Sequence, residues 1–203
     1  MAGAHEQLER AEHAEHAAHG HGPSSTNKRI ALLIAILALF LAISETLGKG
    51  AQTEALNYNV EASNLWAFFQ AKTIRQTAVR TAAETVELMR PQVADPAVAE
   101  AVAKRLDTWA KTVARWDTEP ETQEGRKELA VRAKQAETKR DTSLARYHHY
   151  EVASAAFQIA IVLASAAVIT SAMVLAFVAI GLGAVGLVFT AIGLLAPHSV
   201  HLF

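Results

Sequence analysis

The pattern of hydrophobic and polar positions changes three times along this chain. Ile30 to Ile43 (IALLIAILALFLAI) is an unbroken apolar run, and a long mixed segment follows it. From Val152 to Phe203 there is then no Asp, Glu, Lys or Arg. A bilayer span takes about 20 apolar residues, so the last stretch is long enough to cross twice. The pattern predicts spans over Val152–Ser171 and Met173–Ala196, with Pro197 ending the second. Extending the first run through Ser44–Leu47 gives a segment of roughly 27 Å at the helical rise. A retained span is expected over 30–47, since no A-x-A cleavage site follows the run. Glu45 at its edge admits two readings, an interfacial carboxylate or an ion- or proton-handling group.

The mixed segment reads as helical. Ala51 to Arg90 contains neither Gly nor Pro. Its apolar stripe is Leu56, Val60, Ala67, Ala71, Ile74, Ala78, Ala82 and Met89, a narrow Ala-rich face suited to close helix pairing. Gly48 and Gly50 allow a kink before it, and a helix running straight through is the alternative. PQVADP, from Pro91 to Pro96, is a turn. Val98, Val102, Leu106, Trp109, Val113 and Trp116 mark a second, amphipathic helix, and DTEPE from Asp117 breaks it. A third helix is expected from about Thr122, running into the apolar region. The fold class that follows is an all-α membrane protein with three transmembrane helices. A long antiparallel helical stalk is expected between the first and second, because one helix leaves the bilayer and another returns. The expected organisation is a leader and linker over 1–29, a span over 30–47, a helical stalk over 48–151 and a membrane hairpin over 152–203.

Small residues line both C-terminal spans at helical spacing. Ala156, Ala160 and Ala164 do so in one, and Ala179, Gly183, Gly186 and Gly193 in the other. Such rows let helix backbones approach closely in lipid, where packing drives association. Gly181-x-Gly183-x-x-Gly186 also fits a dinucleotide fingerprint, but no strand–turn–helix context surrounds it.

Charge and composition narrow the functional classes. The segment between Ser44 and Glu151 holds 16 acidic and 16 basic residues, so no basic excess marks a nucleic-acid surface. No cysteine is present, which removes disulfides, thiolate metal sites and thiol catalysis. No Ser–His–Asp set, phosphate loop or paired-acid constellation has usable context, so no enzymatic activity is expected. Lys28-Arg29 favour a cytoplasmic N-terminus, while Lys139, Arg140 and Arg146 favour a cytoplasmic stalk. Long loops translocate largely regardless of charge, which tips the expectation to the N-terminus inside.

The leader carries the one metal-like pattern. His5, Glu9, Glu12, His13, His16 and His19 fall at spacings that bring them onto shared helix faces, and such donors suit a divalent transition metal. Solvated Glu–His pairs of a polar helix are the alternative. Tyr147 and Tyr150 flank His148-His149 in the manner of an interfacial belt.

The run Glu61-Ala62-Ser63-Asn64-Leu65-Trp66-Ala67-Phe68-Phe69-Gln70-Ala71-Lys72, followed by Thr73-Ile74-Arg75-Gln76-Thr77, resembles the hallmark of a bacterial membrane-protein family. That family is known as a domain of unknown function (number four-three-three-seven). The His/Glu-rich leader, a span ending near an acid and the C-terminal apolar pair are similar too. The turn Thr170–Met173 departs from the family pattern in carrying no basic residue. The resemblance implies a bacterial inner-membrane location and no assigned activity. Within the hallmark, Glu61, Asn64, Trp66, Phe69, Gln70 and Lys72 read as packing and polar-network residues between helices or subunits. The leading expectation is a non-enzymatic homo-oligomer in the lipid bilayer, acting as scaffold or oligomeric pore. The alternative is a metal-handling or metal-sensing accessory protein that uses the leader.

Overall fold

The structure, a computed structural model, describes residues 25–200. These fold into α1 (Ser25–Met89), a short 3-10 turn (Arg90–Gln92), α2 (Pro96–Asp117), α3 (Arg126–Thr170) and α4 (Met173–Leu195). No strand occurs among the described residues. Three of the helices, α1, α3 and α4, contain stretches long and apolar enough to cross a membrane. The leader donors His5, Glu9, Glu12, His13, His16 and His19 lie outside the described residues.

Local chemistry sets the helix ends. Asp95 caps α2: its carboxylate accepts from the Ala97 N–H at 2.8 Å, with Pro96 at the first helical position. Between α3 and α4 the helix stops at Ser171, whose φ of 58° is left-handed and cannot continue a right-handed helix. Of the two readings of Gly48 and Gly50, the continuous helix is the one found: α1 is helical through both. One helix start needs correction. The third long helix begins at Arg126, not near Thr122, because residues 118–125 are tied into a turn described below.

The chain forms two compact units. The apolar unit takes residues up to Lys49 and those from Arg146 onward. Its core joins Ile30 and Leu37 of α1 to Ala153, Phe157, Ala160, Ala164 and Ala167 of α3 and to Ala176 and Ala179 of α4. The large side chains sit where α4 has none. A β-carbon on Gly183 would stand 2.7 Å from Leu37 Cδ2, and one on Gly186 the same distance from Phe157 Cε1. On Gly193 it would stand 2.8 Å from Tyr150 Cε1. Phe157, fully buried, also stacks on Phe40 with ring centroids 6.1 Å apart. Three glycines of one helix therefore receive three side chains from its neighbours, which is the close approach that small residues permit.

The charged unit spans Gly50–Ala145. Along α1, Ala55, Tyr58, Ala62, Leu65, Phe69, Lys72 and Gln76 are buried or half-buried at alternating steps of three and four. Leu129, Ala133, Ala136, Arg140 and Ser143 of α3 follow the same alternation. That spacing keeps one seam facing a partner helix. The packing face expected from sequence is a different one. Leu56, Val60, Ala67, Ala71, Ile74, Ala78, Ala82 and Met89 are all exposed, Leu56 by 61% and Ile74 by 69%. The buried seam sets small and polar residues, Ala55, Ala62, Lys72 and Gln76, between Leu65 and Phe69, and an apolar count passes over the former.

Candidate functional site

The family-like segment of α1 divides between the two faces of the helix. Ala62, Leu65 and Lys72 are buried and Trp66 and Phe69 half-buried, whereas Glu61, Asn64, Gln70 and Arg75 are exposed. The inward residues meet α3 and the turn that precedes it. Trp66 Nε1 donates to Glu137 Oε1 at 2.8 Å, and its ring meets Phe69 edge-on with centroids 5.4 Å apart. The Arg126 guanidinium lies 5.7 Å from the Phe69 centroid, within cation–π range.

Lys72 is the centre of this arrangement. It is 7% exposed, donates to the Glu124 carbonyl, lies 3.7 Å from Glu119 Oε2 and stands 5.1 Å from the Phe68 centroid. One turn along, Gln76 donates to the Val113 carbonyl of α2 at 3.0 Å. The two side chains thus anchor α1 to the end of α2 and to the turn leading into α3. The turn is further closed from within. Glu128 Oε2 accepts from the Glu119 N–H at 3.2 Å, and Gln123 sits at a left-handed φ of 59°. Gly125 is buried so tightly that a β-carbon there would lie 2.4 Å from the Glu119 nitrogen. Asp117, at the end of α2, pairs with Arg126 and Lys127 at 2.9 Å each. The Lys127 hydrogen bond holds the Asp117 carboxyl below its ordinary value near 3.8, and the charges of Lys127 and Arg126 act in the same direction. Partial burial opposes them.

Beside this hub, α1 and α2 enclose an open groove of about 700 Å³. Val79, Ala83, Leu106, Trp109 and Val113 form its apolar floor, with Arg80, Glu84 and Glu87 exposed along it. Near it Glu87 pairs with Arg90 at 3.0 Å and Asp117 with Arg126 and Lys127. Sequence reasoning missed Glu119, Glu124, Gly125, Glu128 and Glu137. The four glutamates act through contacts 9 to 71 residues apart, and Gly125 through the turn they close, which no local motif reports.

In the apolar unit a second polar set lies at one level. Ser44 Oγ is 3.4 Å from both the Tyr150 carbonyl and Thr190 Oγ1. His149 Nε2 lies 3.0 Å from the Pro197 carbonyl, while its buried Nδ1 has no hydrogen-bond partner among the described residues. The His149 ring stacks on Phe189 at 6.1 Å. The small residues expected at helix interfaces, Ala156, Ala160, Ala164, Ala179, Gly183, Gly186 and Gly193, are all buried within this unit. Among the described residues no group of three His, Asp or Glu side chains is placed to hold a metal ion.

Comparison with known proteins returns one family. Residues 26–196 match the Domain of unknown function (DUF4337), and the chain belongs to that family. No curated protein and no solved structure matches it.

Proposed function

We propose that the chain is a non-enzymatic, homo-oligomeric protein of the bacterial inner membrane that acts as a scaffold or as an oligomeric pore. Three spans would anchor it, and the charged unit would form an antiparallel helical stalk in water. The stalk reading is supported by the order of contacts that α1 makes with α3 and with the turn preceding it. Glu54 meets Ser143, Tyr58 meets Lys139, Trp66 meets Glu137 and Lys72 meets Glu124, so partner numbers fall as α1 numbers rise.

The observation that carries the oligomer is the second face of α1. Leu56, Val60, Ala67, Ala71, Ile74, Ala78 and Ala82 form an apolar row separate from the seam used within the chain. A water-facing helix has no use for such a row, and a copy of the same chain would cover it. The balanced charge of this segment presents no net repulsion between copies.

The test is a paired substitution. Val60→Glu with Ile74→Glu alters only exposed positions, so the single chain should keep its helical content. In nanodiscs the assembly should break down to smaller species. An unchanged mass would rule out this face as the contact.

A further inference from the structure

His149 of α3 is 1% exposed, yet its ring can hold a proton on either nitrogen or on both. The surroundings fix where one proton sits. Nε2 lies 3.0 Å from the Pro197 carbonyl, and a carbonyl oxygen only accepts, so Nε2 carries a hydrogen and donates it. Nδ1 is buried with no hydrogen-bond partner among the described residues. A neutral ring leaves a lone pair at that nitrogen. A second proton would put an N–H and a charge where no acceptor stands, and a buried charge without a partner is the costlier state.

The groups packed around the ring supply no counter-charge. From α4 come Phe189, with ring centroids 6.1 Å apart, and Gly193, where a β-carbon would stand 3.2 Å from His149 Cβ. That separation from Phe189 is outside the roughly 6 Å of a cation–π contact, and α4 contains no ionisable residue. The segment beyond α4 brings His198, which is exposed. Along α3 the neighbours are Arg146, His148, Tyr150 and Glu151, and Glu151 is turned to Tyr147 and His148 at 3.5 and 3.7 Å. On α1, Glu45 and Lys49 follow Ser44 and Gly48, which meet Tyr150 and not His149. Glu45 Oε1 accepts from Gln158 Nε2 at 3.3 Å.

What the ring holds is the end of α4. Ala196 N–H donates to the Ile192 carbonyl at 2.9 Å, and Ser199 donates to the Ala196 carbonyl through both its N–H and its hydroxyl. The turn is therefore closed on itself, and the His149 bond to Pro197 joins it to α3. Pro197 is half-buried between neighbours that are exposed on both sides. We propose that His149 is a pH-sensitive latch: the neutral ring holds Pro197 and its turn against α3, and a second proton on the ring releases them. A histidine in water protonates at about pH 6.5. A latch that needs the neutral ring is complete above that pH, and its ratio of held to released turn falls about tenfold for each pH unit below it. The device works within a single chain and does not depend on the oligomer proposed above.

The chain has no cysteine, so Val200→Cys, at an exposed position of the turn, takes one nitroxide label in the full chain in nanodiscs. Electron paramagnetic resonance reads its mobility from about pH 8 to about pH 5, across the histidine range. The label should be restrained at the upper pH, and its mobile fraction should rise at least fivefold on acidification. His149→Gln keeps a donor for the Pro197 carbonyl and cannot titrate, so its label should stay restrained throughout. His149→Ala should be mobile already at the upper pH. His148→Gln and His198→Gln should keep the transition of the unaltered chain. A label whose mobility does not change with pH in the unaltered chain overturns the proposal. So does a transition that persists in His149→Gln or vanishes in His198→Gln. A transition that coincides with loss of helix in far-ultraviolet circular dichroism also overturns it, since unfolding and not the turn would then carry the signal.

Discussion

Lys72 shows how a single residue links sequence to architecture in the charged unit. Its methylene stem crosses a buried seam while its ammonium ends on the Glu124 carbonyl and beside Glu119. A Lys72→Met chain keeps the stem and loses the charge, leaving the Glu124 carbonyl without this donor. We expect a loss of about 1–3 kcal/mol, read as the denaturation midpoint in detergent. Gly125→Ala should cost about 2 kcal/mol or more, since a methyl group there meets the Glu119 nitrogen and Thr118 Cα of the backbone as well as the Glu128 carboxylate. Asp117 gives the same turn a pH dependence. Its carboxyl is held below its ordinary value by Lys127 first and Arg126 second, so it binds protons less readily folded than unfolded. The stabilisation is present above about pH 4 and is lost as pH falls through the lowered value. Asp117→Asn should flatten the stability profile across that acid range. A profile as steep as that of the unaltered chain would contradict the assignment.

At the scale of elements, the helices of the two units pack by different means. In the apolar unit α4 supplies glycines and its neighbours supply Leu37, Phe157 and Tyr150. Gly186→Ala would drive a methyl group against Phe157, and overpacking of this kind costs about 1–3 kcal/mol. Gly181 is the matched control, because a β-carbon there meets nothing within 4 Å. Gly181→Ala should leave the melting temperature in detergent unchanged or raise it, and equal losses at both sites would contradict the packing. In the charged unit, the alternating three–four seam of α1 carries Ala55, Ala62, Lys72 and Gln76. The opposite face carries Leu56, Val60 and Ile74. An apolar count thus points to the wrong face of this helix, because the buried seam admits Ala, Lys and Gln beside Leu65 and Phe69.

For the whole molecule, the features legible in the sequence were those that composition decides. A charge-free C-terminal stretch and the Ile30–Ile43 run suffice to mark three helices long and apolar enough to cross a membrane, and the prolines at 91 and 96 suffice to mark a turn. The third long helix, expected from about Thr122, starts four residues later at Arg126, because Glu128 of α3 and Lys72 of α1 fasten the turn before it. The Glu45–Gln158 pair was equally hidden, since 113 residues separate its members. What the sequence did display plainly, the apolar row of α1, turns out to be surface in the single chain. Our account holds that this surface exists to meet another copy. The most direct test is the mass of the complete chain in nanodiscs, measured with and without a chelator. The account predicts a defined oligomer that the chelator leaves intact; a monomer, or an assembly that dissolves with chelator, would contradict it.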